Sequence, residues 1–133
     1  MRAYTSIEQG NRLMELGVSP ETCDMTWTTD MAGDFFPYPD LEFRPPIEYY
    51  NGVDNVPCWS VPALLNLLPK VIRRDCNNYP LYINVNPDNS YDIEYNANVI
   101  AEVGFNREDL IDAVYEMVVW WYENKNEYHI PNF

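Results

Sequence analysis

The chain has 133 residues, of which 47% are hydrophobic and 15% aromatic, and its 21 acidic against 8 basic side chains give a formal net charge of −13. That length supports one domain with its own buried core, and the aromatic content excludes collagen-like, low-complexity and disordered classes. Charge of this sign is repelled by nucleic-acid backbone and by anionic bilayers, which argues against direct nucleic-acid or membrane binding.

The longest apolar run, around Met117–Tyr122, is far shorter than the roughly 18 residues of a membrane span. No apolar segment follows a basic start, so no secretory signal is expected and the reading is cytoplasmic.

The first helix is expected from about Ile7 to Leu16. Thr5 and Glu8 form a T-x-x-E capping box, Ser6 and Gln9 offer the same device one residue on, and Gly17 stands at the C′ position. Its apolar side carries Gly10, Leu13, Met14 and Leu16. A glycine on that side weakens the helix and therefore points to close approach of another element. Ser19 and Pro20 start a second, single-turn helix reaching about Cys23.

Periodicity is lost from Asp24 to Pro57. Five prolines and seven rings make this stretch too broken for a regular element and too aromatic for disorder. It reads as an ordered irregular excursion that lays rings over the core, with room for a short strand at Met25–Thr29. Ser60 then caps a helix with Pro62 in its first turn. Val61, Leu64, Leu65 and Leu68 form an inward stripe, Pro69 ends it, and Trp59 packs at the entry.

Leu81, Ile83 and Val85 alternate with polar neighbours, as do Tyr91, Ile93 and Tyr95 after the turn Pro87-Asp88-Asn89. This is an antiparallel hairpin with one buried and one wetter side. Val99–Gly104 adds a third strand, and Lys70–Arg73 offers a short one before the hairpin. The terminal helix is the most regular pattern. Asn106 is expected to cap it, with Asp109 at N3 and Asn124 closing it. If it runs Arg107–Asn124 it is about 27 Å long. Leu110, Val114, Met117 and Trp121 share its inner line, with Ala113, Val118 and Trp120 flanking, while Asp112, Glu116, Val119 and Glu123 face away. Residues 125–133 are read as a tail. The fold class is therefore α+β: a small antiparallel sheet of about three strands packed against helices, with a long ordered irregular segment.

Cys23, Cys58 and Cys76 are odd in number and widely spaced, which is not a disulfide framework, and His129 is the lone histidine. A Cys3His metal site or a Cys–His nucleophilic dyad is arithmetically available, but no two of these residues stand at chelating spacing. Buried thiols and a surface histidine are expected, with no cofactor. Asp88, Ser90, Asp92 and Glu94 alternate like the opening of a calcium loop. Ile93 stands where the sharp turn needs glycine and Val99 where the last acid should be, so a hairpin turn is the better reading. Lys70, Arg73 and Arg74 are too few to hold nucleic acid and are expected to pair locally with acids or to contact a small anion. Phosphate-loop, nucleophile-elbow and zinc-protease motifs are all missing.

Three blocks, Ile7–Met25 (IEQGNRLMELGVSPETCDM), Pro57–Pro69 (PCWSVPALLNLLP) and Leu110–Lys125 (LIDAVYEMVVWWYENK), resemble an uncharacterised family of small proteins from Bacteroidetes phages and integrated mobile elements. The likeness lies in caps, leucine stripes and the terminal helix. It implies a bacterial host cytoplasm and no mechanism. The family's glycine after the terminal helix is replaced here by Lys125-Asn126, which leaves the course of the tail open.

Aromatics interleaved with acids describe a protein-binding surface, in which rings anchor and charges steer. The candidate partner-binding residues are Phe35, Phe36, Tyr38, Tyr49, Tyr50 and Trp120. The bland alternative is that these rings cover the domain's own core. Three classes follow. One is a non-enzymatic accessory protein that contacts a protein partner or another copy of itself. The second is an acidic decoy for a DNA-binding host protein, drawing on the row Glu108–Asp112–Glu116–Glu123. The third, an enzyme, has no motif behind it.

Overall fold

A computed structural model describes residues 2–29, 35–39, 55–98 and 100–132. The first helix, α1 (Ile7–Glu15), starts from the second of the two available boxes. Ser6 Oγ accepts from the Gln9 N–H at 3.1 Å while Gln9 Oε1 accepts from the Ser6 N–H at 2.9 Å. Thr5 is fully buried and serves elsewhere: its Oγ1 accepts from Trp59 N–H at 3.0 Å and its own N–H donates to Trp59 O at 2.9 Å. Gly17 ends the helix in the left-handed region at φ +90°. Gly10 has the close neighbour its position implied, since a Cβ there would lie 2.3 Å from the Pro57 carbonyl oxygen.

A 3-10 turn, Pro20–Thr22, follows Ser19. Within the segment expected to be irregular, the described residues form an antiparallel sheet of β1 (Met25–Thr29), where a short strand had room, with β2 (Phe35–Pro39) and β3 (Asn55–Cys58), in the order β2-β1-β3. The prolines explain both the expectation and the outcome. A proline lacks the N–H that an interior strand needs on both sides, so it is tolerated only at sheet edges. Pro37, Pro39 and Pro57 all lie on the two edge strands, while the central strand β1 (MTWTT) has none. Residues 30–34 and 40–54 of the excursion lie outside the described residues.

Ser60 caps α2 (Val61–Leu65), accepting from the Ala63 N–H at 3.3 Å. Leu64 and Leu68 are buried as the stripe requires, though Leu68 lies in the turn beyond the helix. Trp59 is fully buried and its indole N–H donates to Thr22 Oγ1 at 3.0 Å.

A second antiparallel sheet follows as a meander of β4 (Val71–Arg74), β5 (Asn77–Val85), β6 (Tyr91–Ala97) and β7 (Ile100–Arg107). The α+β class thus stands, with two sheets of three and four strands among the described residues in place of one of about three. Asp75 and Cys76, at φ 51° and 66°, form the two-residue β4–β5 loop, so Cys76 is exposed while Cys23 and Cys58 are buried. In the β5–β6 turn Asp88 Oδ1 accepts from Ser90 N–H and Ser90 O–H, which is turn chemistry. Ile93 and Tyr95 are buried on the inner face, and Tyr95 O–H donates to the Pro69 carbonyl at 2.6 Å. Cross-strand register puts Ile83 and Val85 on that same face, yet both are exposed, Val85 at 69%.

The terminal helix, α3 (Leu110–Asn124), begins later than expected, with Asp109 and not Asn106 at the N-cap. The strand before it wins those residues: Asn106 pairs with Asp92 across β6–β7, and its amide donates to Ser90 Oγ at 3.1 Å and to Asp92 Oδ1. The helix is therefore about 22 Å long. Val114, Met117 and Trp121 of its expected inner line are buried with Ala113 and Val118, while Leu110 is only half-buried and Ile111 takes a buried place beside it. Asn124 does not adopt a left-handed cap. The chain turns into a 3-10 turn, Lys125–Glu127, and the Asn124 amide donates to Trp120 O at 2.8 Å. The tail is tied down, since Arg73 and His129 exchange two backbone hydrogen bonds at 2.8 and 2.9 Å along the β4 edge. One core joins α1, α2, the β4–β7 sheet and α3.

Three outcomes test this fold. Gly to Ala inside a helix ordinarily stabilises by about 0.5–1 kcal/mol, but Gly10→Ala should destabilise, because the new methyl meets backbone; the denaturant midpoint reads the sign. Trp121→Ala should cost about 3–5 kcal/mol in urea unfolding and Val119→Ala about 1 kcal/mol or less. Hydrogen bonds from Ser90 lower the Asp88 pKa. The stability this confers is present above the ordinary carboxylate range and is lost as pH falls toward the lowered value. The stability gap between wild type and Asp88→Asn should thus narrow on acidification, as thermal unfolding across pH 2–7 reads out.

Candidate protein-docking groove

Helix α3 packs on β6 and β7, and residues on one flank of it line a groove with side chains of β7. Glu116, Trp120 and Glu123 stand at i, i+4 and i+7, which places carboxylate, indole and carboxylate on three successive turns of one face. Val119 lies beside them. With Tyr115 and Asn124 from the helix, and Phe105 and Arg107 from β7, they line a shallow, open groove of about 490 Å³. Phe105, Tyr115, Val119 and Trp120 are all half-buried and packed against the core's margin. Val119, expected to face away, therefore forms part of an apolar floor.

The upper end of the groove is closed by charge. Arg107 reaches across from β7 to form an ion pair with Glu116 and also donates to the Asn106 carbonyl at 2.6 Å. At the lower end Glu123 is exposed and, among the described residues, forms no ion pair. Burial pushes the Tyr115 phenol above its ordinary pKa, so it lines the groove as a neutral donor.

Trp120 has a second environment. Its ring lies 6.2 Å from that of Tyr95 and 5.3 Å, edge-on, from that of Tyr128, while Tyr128 also meets Trp121 at 6.4 Å. Arg74 stands 5.7 Å from the centre of the Tyr128 ring and contacts Asp75 at 3.8 Å, which is the local pairing expected of that basic residue. This ring cluster holds the tail on the core and sets the indole of Trp120 at the groove's floor.

Of the other sequence-selected positions, Phe35, Phe36 and Tyr38 lie on edge strand β2, where their backbones pair with Thr29, Thr28 and Thr26. Tyr49 and Tyr50 lie outside the described residues. Of the six, Trp120 is placed at the groove. The carboxylate row also changes character. Asp112 is held by Arg2 and by the Gln9 amide at 2.9 Å, and Glu116 by Arg107, so two of its four members are already matched locally.

Among the described residues no three histidine, cysteine or acidic side chains converge to hold a metal, and the three cysteines and His129 do not meet. No helix among them is long and apolar enough to cross a membrane. The chain matches no family model, no curated protein and no solved structure.

Proposed function

We propose that this protein is a non-enzymatic accessory protein that binds another protein through the groove between β7 and α3. One observation carries the reading: half-buried Phe105, Val119 and Trp120 lie side by side in an open groove with carboxylates at its margin. A surface of apolar anchors rimmed by charge is how docking sites are built. The net charge of −13 favours a partner of opposite sign over a second copy, because two such chains repel. The acidic-decoy reading has less support, since Arg2 and Arg107 interrupt the row that would imitate phosphates. A phage or mobile-element setting in a bacterial cytoplasm rests on the resemblance of the three sequence blocks.

Affinity capture from host lysate with wild type, Val119→Arg and Tyr82→Ala tests this. Tyr82 is exposed on β5 and has no place in the groove. A protein retained by wild type and by Tyr82→Ala, and lost with Val119→Arg, supports groove docking. A protein held equally by all three baits contradicts it.

A further inference from the structure

The groove already shows how it treats a cation. At its upper end the Arg107 guanidinium lies against Glu116, one helical turn from the Trp120 indole. At the lower end Glu123, about one helical turn past Trp120, lines the same groove with no cation of the described residues paired to it. The nearest cation in sequence, Lys125, is turned to another ring, its Nζ lying 4.3 Å from the centre of Tyr122. A carboxylate about one helical turn from an indole, lining one groove with it and with Tyr115 in a protein of net charge −13, is a complement to a planar cation.

We propose that the lower end of the groove, formed by Glu123, Trp120 and Tyr115, is a receptor for an arginine side chain on a basic segment of the partner protein. This rests on the docking reading above and names the chemistry of its anchor. The guanidinium would stack on the indole and donate to the Glu123 carboxylate, an ion pair of the kind Arg107 makes with Glu116 within the chain. The apolar floor at Val119 and Phe105 would take the residues beside that arginine. Long-range attraction from the acidic surface would speed encounter and make it sensitive to salt.

The test uses the full-length protein and two small probes of equal shape, N-acetyl-arginine methylamide and its neutral isostere N-acetyl-citrulline methylamide, followed by NMR at low salt. The arginine probe should shift the Trp120 indole N–H and the α3 amides near Glu123 saturably. The citrulline probe should leave them in place. Glu123→Gln should weaken arginine binding about fivefold. Glu108→Gln, which removes one charge from an exposed residue outside the groove, should leave it unchanged. Equal shifts from both probes, no saturable shift from arginine, or equal loss in the two variants would overturn the proposal. If the arginine probe fails while Val119→Arg still abolishes partner capture, the groove docks a protein and only its cationic anchor is wrong. If both fail, the docking reading falls with it.

Discussion

The structure depends on the burial of one stripe of α3. Ala113, Val114, Met117 and Val118 are fully inaccessible and Trp121 nearly so, and they close the core against α2 and the β4–β7 sheet. A stripe of this kind occupies little more than a third of a helix's circumference. The next residues round, Val119 and Trp120, are apolar as well and are only half-buried among the described residues. They come to rest against the outermost strand of the sheet, where a groove results. The groove is thus a consequence of a helix with more apolar surface than its core can hide.

A second constraint sets where the N-terminal half sits. Thr5 receives and gives hydrogen bonds with Trp59, its carbonyl accepts from the Trp27 indole at 3.0 Å, and Gly10 lets α1 approach Pro57 within van der Waals contact. Those contacts fasten α1 to β1 and β3 and deliver Trp59 into the core. Arg2 then reaches Asp112 on α3, so the first residues and the last helix hold each other.

Much of this was legible in the residues. The capping chemistry of Ser6, Ser19 and Ser60, the C′ role of Gly17, the warning at Gly10 and the phase of α3 are local signals, and local physics decides them. What failed was decided by distant partners. Asn106 is a good helix cap in isolation, but the β6 strand offers it Asp92 and the N-terminal boundary moves. Within the proline-rich segment the strands Phe35–Pro39 and Asn55–Cys58 stay hidden until it is seen that edge strands accept proline. The tail reads as loose because its anchors, Arg73 and the rings of Trp120 and Trp121, lie far away in sequence. For the groove, the i, i+4, i+7 line of Glu116, Trp120 and Glu123 is visible in the chain. Phe105 and Arg107 are not, since only the strand's register brings them opposite the helix.

The account stands or falls on whether the flank of α3 that carries Trp120 is the face covered by a partner. Hydroxyl-radical footprinting of the free protein and of the captured complex, read residue by residue, measures this directly. The account predicts that Trp120 is labelled in the free protein and shielded in the complex, while Trp59 and Trp121 stay unlabelled in both. Unchanged labelling of Trp120, with shielding confined to the exposed face of β5, would contradict it.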